Sequence, residues 1–64
     1  MDTMDIYTAT GIAEGWIETD SEEEVVEAWQ RLIDTGLAWR LQGWFGRTAQ
    51  SLIAAGVCTP AGAR

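Results

Sequence analysis

The chain has 64 residues, with ten Asp and Glu against four Arg, no Lys, no His and one Cys, for a net charge of −6. A domain of this size buries only about 60% of the surface its unfolded chain exposes, so it forms one small unit of marginal stability. The inventory excludes Cys/His zinc centres, triads that need His, and an intramolecular disulfide scaffold. It also contains neither the run of about 20 apolar residues a membrane span needs nor the basic and apolar start of a secretory leader. The expectation is a soluble, intracellular, acidic mini-domain.

The net charge is a sum of unlike halves. All ten acids lie in residues 1–34, where only Arg31 offsets them, giving −10 + 1 = −9. Residues 35–64 hold Arg40, Arg47 and Arg64 and no acid, giving +3. Two readings follow. Either the halves fold together and the arginines pair with nearby acids, or the acidic half presents a field to a basic partner.

The first predicted element runs from Thr3 to about Glu14. Met4, Thr8, Gly11 and Ile12 give a weak helical stripe, with Asp2 or Thr3 as cap and Gly15 as its end. Trp16 and Ile17 are expected to fold back onto the core, and Glu18-Thr19-Asp20 reads as a linker. The second helix, over 22–35, is the clearest. Ser21-Glu22-Glu23-Glu24 has the form of a capping box, and three glutamates suit the positive end of the helix dipole. Val25, Trp29, Leu32 and Ile33 form its apolar stripe, with Val26 on the flank. Glu27 and Arg31 make an i,i+4 pair, and Gly36 closes the helix.

In Leu37-Ala38-Trp39-Arg40-Leu41-Gln42-Gly43 the alternation of Leu37, Trp39 and Leu41 would suit a strand, while Leu37 and Leu41 are also one helical turn apart. A lone strand has nothing to pair with, so a short helical turn is expected. The third helix runs from about Trp44 to Ala55, with Phe45, Ala49, Leu52 and Ile53 on its apolar side and Gly56 followed by Val57 as a Schellman close. Thr59 to Arg64 reads as a frayed tail. The whole is therefore expected to be all-α: a single small three-helix bundle over 1–58 with a helical-turn connector and a flexible tail over 59–64.

The stretch Leu32-Ile33-Asp34-Thr35-Gly36-Leu37-Ala38-Trp39-Arg40-Leu41-Gln42-Gly43, then Phe45-Gly46-Arg47-Thr48-Ala49 and Leu52-Ile53-Ala54-Ala55-Gly56, resembles a group of very small proteins of tailed bacteriophages. Their pattern reads D-[ST]-G-x-A-W-x-L-Q-G-x-[YF]-G-R-T-A-x-x-L-I-x-x-G, and the match covers about residues 25–58. The resemblance implies a phage origin, the host bacterial cytoplasm and a helical mini-domain, and it implies no activity.

Catalysis is poorly served. Any general base would have to be a carboxylate, and the acids fall on a solvated face and in linkers. Glu22, Glu23, Glu24 and Glu27 form an acidic face without the spacing of a calcium loop. Cys58 follows a helix end without a basic neighbour, so its thiolate is not activated. No enzyme activity, metal or cofactor is expected. Trp39, Arg40, Gln42, Trp44 and Arg47 crowd nine positions around a helix start and form the candidate interaction surface. Arg47 opposes the dipole there and so calls for an anion, either internal (Asp34 or the Gly36 region) or external.

Four tryptophans exceed what so small a core encloses, and exposed Trp and Arg are typical interface anchors. The leading expectation is a phage-encoded interaction module that binds and modulates a host or phage protein, as a host-takeover or counter-defence factor. In a variant of that reading the carboxylate row mimics DNA. The alternatives are a small-ligand or nucleic-acid binder through Arg40, Trp44 and Arg47, which the net charge disfavours for DNA, and a minor virion component. A homo-oligomer is as well supported as a foreign partner, and no membrane association is expected.

Overall fold

A helix leaves backbone groups orphaned at its ends; here Asp5 and Ser21 side chains serve the starts of the first two helices, and backbone turns close the ends of all three. The computed structural model describes residues 4–61. Its elements are α1 (Ile6–Glu14), α2 (Glu22–Asp34), a single 3₁₀ turn (Leu37–Trp39) and α3 (Gly43–Ala54), with no strand among the described residues. The fold is thus the expected small all-α bundle with a helical-turn connector.

The caps explain the boundaries. Asp5, not Asp2 or Thr3, caps α1: its carboxylate accepts the Thr8 N–H at 2.7 Å. The other two candidates lie outside the described residues. At α2 the Ser21 hydroxyl accepts the Glu24 N–H at 3.2 Å as expected. The reciprocal half of the capping box is replaced by a relay. The Glu24 carboxylate accepts from the Thr19 hydroxyl, and that hydroxyl oxygen accepts the Ser21 N–H. The Thr19 oxygen stands nearer than Glu24 itself to the N–H that needs a partner.

All three helices hand over to a glycine with positive φ: Gly15, Gly36 and Gly56. After α3 the pattern is the Schellman close, with Val57 N–H on the Leu52 carbonyl at 2.9 Å and Gly56 N–H on that of Ile53 at 3.1 Å.

The core differs from the predicted stripes in its small residues. Ala9, Ala28, Ala38 and Ala49 are all fully buried alongside Leu32, Ile33, Phe45 and Trp29. Buried Ala9 and Gly11 on α1 and Ala28 on α2 let these two helices lie close. Val25 is displaced from the α2 stripe to an exposed position, and the stripe begins at the flanking Val26, which packs against the core. On α1, Thr8 is only half-buried, and Ala9 takes the inward place. α3 reaches α2 through aromatic rings: Trp29 and Phe45 have centroids 5.7 Å apart, and Trp44 stacks on Phe45 at 4.0 Å.

Thr59, the first residue of the predicted tail, is anchored to α2. Gln30 on α2 clasps its backbone, accepting the Thr59 N–H at 2.9 Å and donating to its carbonyl at 2.8 Å. This holds Cys58 in the core, 2% exposed. Residues 62–64 lie outside the described residues.

Candidate functional site

The connector and the start of α3 build the site. Ala38 points inward and is buried, which turns the neighbouring Trp39 outward across α3. A Cβ built at Gly46 would stand 3.4 Å from the Trp39 ring, so the glycine gives the ring its bed against the helix. Arg47 runs back toward the N-terminal end of α3, as helical side chains do. Its Nη1 lies 3.4 Å from where a Gly43 Cβ would be. Between them is an open hollow of about 300 Å³, whose walls include Trp39, Leu41, Gln42 and Gln50.

The hollow is apolar on one side and cationic on the other. Trp39 is 48% exposed. No acidic residue lines the hollow. Among the described residues Arg47 makes no hydrogen bond or ion pair, and the expected internal partners, Asp34 and the Gly36 region, do not meet it. Among the described residues Arg31 pairs with Glu27 at 3.7 Å, within α2 and away from the hollow. The two halves of the chain therefore fold together without the charge pairing of Arg40 or Arg47 that one reading required. Arg64 lies outside the described residues.

Of the five predicted interaction residues, the structure brings three together: Trp39, Gln42 and Arg47. Arg40 is exposed but lines no part of the hollow. Trp44 is turned away, stacked on Phe45 and edge-on to Trp29, with its indole N–H donating to the Gln42 side-chain oxygen at 3.2 Å. Gln42 makes no side-chain cap on α3. Trp44, itself still exposed, thus lies against Phe45 rather than in the hollow with Arg47. Leu41, Gly46 and Gln50 were absent from the predicted set. Their signal was the spacing Gly43, Gly46, Arg47, Gln50, which is one face of a helix at i, i+3, i+4 and i+7.

The other chemistry is muted. Glu22, Glu23, Glu24 and Glu27 are all exposed. Glu24 is engaged by Thr19 and Glu27 by Arg31, while Glu22 and Glu23 face solvent. Among the described residues no group of His, Cys, Asp or Glu is placed to hold a metal ion, and no helix is long and apolar enough to cross a membrane. Burial, with a smaller contribution from the Asp34 charge, pushes the Cys58 thiol above its ordinary value. The sulfur sits 3.9 Å from the Val26 carbonyl. This is a packed thiol, not an activated one.

A family model described as "Domain of unknown function (DUF7417)" matches residues 17–64. That span holds the whole of the hollow and leaves out α1. No curated protein matches the chain, and no solved structure matches it.

Proposed function

We propose that this chain, which belongs to the DUF7417 family, is a protein-interaction module that docks on its partner through the Trp39–Arg47 hollow. The observation that carries the reading is the exposed Trp39 ring, bedded on Gly46 beside an arginine without an internal partner. Trp and Arg dominate the energetics of protein interfaces when a partner desolvates them. The Trp39 ring is already bedded against Gly46, so little ordering of that ring is required on binding. The partner presents an apolar group to Trp39 and a carboxylate to Arg47. The resemblance to tailed-phage proteins supports a setting in a bacterial host, with a host protein as the target that is modulated. The hollow offers one guanidinium and two amides, groups suited to binding a partner's polar atoms.

The test is affinity capture from bacterial lysate followed by titration of the recovered partner. Trp39→Ala is expected to weaken binding by about 2 kcal/mol, or roughly thirtyfold, and Arg47→Ala by a similar factor. A partner that binds both variants as tightly as the parent overturns the reading, as does a lysate that yields no partner. Addition of a DNA oligonucleotide separates a variant of the reading. Displacement of the partner by DNA would transfer the function to the acidic face as a DNA mimic.

A further inference from the structure

A second hollow, of about 350 Å³, lies on the opposite charge half, between α1, the loop that follows it and the first turn of α2. Its floor is aliphatic: Ile12, Ile17 and Val25. Its rim carries Glu18 and Asp20. Both carboxylates are exposed, and among the described residues neither accepts a hydrogen bond nor makes an ion pair. No Arg lines the hollow, and none occurs in the chain before Arg31.

Beside it, the loop residue Trp16 is turned the other way. Its ring meets Tyr7 edge-on, with centroids 5.2 Å apart and planes at 71°. Its indole N–H donates to Glu14 at 3.2 Å. These two rings are 53% and 68% exposed, the largest values among the bulky hydrophobic side chains. The loop is not loose. The Gly11 carbonyl accepts the N–H groups of Gly15, Trp16 and Ile17 at 3.0–3.1 Å, and Ile17 fills the space that a Gly11 side chain would take. A ring pair and a groove are thus held at fixed positions on either side of one anchored loop.

We infer that this face docks a basic segment of a protein partner, one carrying adjacent Arg or Lys side chains. An arginine or lysine has an aliphatic stem and a charged head. The stem matches the Ile12–Ile17–Val25 floor, and the head reaches Glu18 and Asp20. A neighbouring cation lies against the Tyr7 and Trp16 rings, where the ring quadrupole and the Glu14 carboxylate both attract it. The −9 balance of residues 1–34 raises the local concentration of such a segment and repels an acidic one. Tyr7, Ile12, Gly15 and Trp16 precede the DUF7417 match, so half of the face is a feature of this chain outside the matched span. The inference is independent of the Trp39–Arg47 hollow.

The test is calorimetric titration of the full chain with an oligoarginine peptide at physiological salt. Three variants of unchanged far-UV circular dichroism decide it. Glu18→Gln/Asp20→Asn removes two charges at the rim, Glu22→Gln/Glu23→Gln removes two charges from the solvated face of α2, and Trp16→Leu removes a ring and no charge. The expected result is binding by the parent that weakens about fivefold in the rim variant and roughly threefold in Trp16→Leu. The α2 variant should stay within about twofold of the parent. Equal loss in the two charge variants, with Trp16→Leu unaffected, would reduce the effect to the general field and overturn the inference. Absence of peptide binding would overturn it too. So would sedimentation showing that the chain pairs with itself and that the rim variant abolishes the pairing, because the occupant would then be a second copy.

Discussion

Gly11 and Gly46 are both inside helices, yet the same Ala substitution should act on them with opposite sign. In a helix interior Ala is favoured over Gly by about 1 kcal/mol. At Gly46 the added Cβ would lie 3.4 Å from the Trp39 ring, an ordinary contact, so most of that preference is realised. At Gly11 the added Cβ would lie 2.6 Å from Ile17 Cγ1 and 3.4 Å from its Cβ. Ile17 cannot simply swing aside, because its own N–H is bound to the Gly11 carbonyl at 3.1 Å. Displacing it forfeits about half of the roughly 2 kcal/mol that full burial of an Ile provides, and weakens hydrogen bonds worth about 1 kcal/mol each. These losses exceed the propensity gain by about 1–2 kcal/mol. Gly46→Ala should therefore raise the melting temperature and Gly11→Ala should lower it. At about 4–8 °C per kcal/mol for a domain of this size, the two should differ by about 10 °C or more. Thermal unfolding followed by far-UV circular dichroism measures this directly. A double-mutant cycle sharpens it: in the background of Ile17→Ala the cost of Gly11→Ala should vanish, a coupling of at least about 1 kcal/mol. Gly11→Ala melting at or above Gly46→Ala would refute the steric account of the loop.

Other outcomes follow from the caps and the clasp. Accepting the Thr8 N–H holds the Asp5 carboxyl below its ordinary value near 3.8, so its contribution is present above that pH and is lost as the pH falls through the lower folded value. Asp5→Asn keeps a capping oxygen and should abolish that acid-limb dependence in the α1 amide signals by NMR, while Asp5→Ala should fray α1 at neutral pH as well. Ser21→Ala should cost about 1 kcal/mol in denaturant unfolding with an unchanged slope. Gln30→Ala breaks both backbone bonds to Thr59 and the longer one from its hydroxyl, and should cost about 1–2 kcal/mol. It should also speed the labelling of Cys58 by a thiol reagent at pH 8, where the buried thiol of the parent is expected to react appreciably only in urea.

The helices were legible because their signals are local and redundant. Ser21 with three glutamates, the spacing from Trp29 to Ile33, and Gly36 and Gly56 all act within a turn or two. Asp5 was not among the expected caps because Asp2 and Thr3, residue types that also cap well, stand before the weak stripe of α1. The inward roles of Ala9 and Ala28 were missed for another reason. A stripe sought in large apolar residues overlooks the small ones where helices approach closely. At the site, composition points to Trp39 and Arg47, but no periodic rule distinguishes the ring that stacks on a neighbouring ring from the ring that faces the hollow. Trp44 and Trp39 differ in exposure by little, 36% against 48%, and differ in role because one has Phe45 to stack on and the other has Gly46 beneath it. The Gln30–Thr59 clasp spans 29 residues and has no sequence signature at all.

The aromatic bridge between α2 and α3 has a kinetic consequence. α1 and α2 are neighbours in sequence as well as in space, and so are the 3₁₀ turn and α3. Each pair can assemble early from contacts that close short loops. The 3₁₀ turn also packs on α2, but seating α3 requires Trp29, Trp44 and Phe45 to interlock, and two of the four tryptophans report that step. In stopped-flow refolding, ellipticity at 222 nm should thus recover ahead of the tryptophan signal. In native-state hydrogen exchange the α3 amides should open at lower free energy than those at the centre of α2.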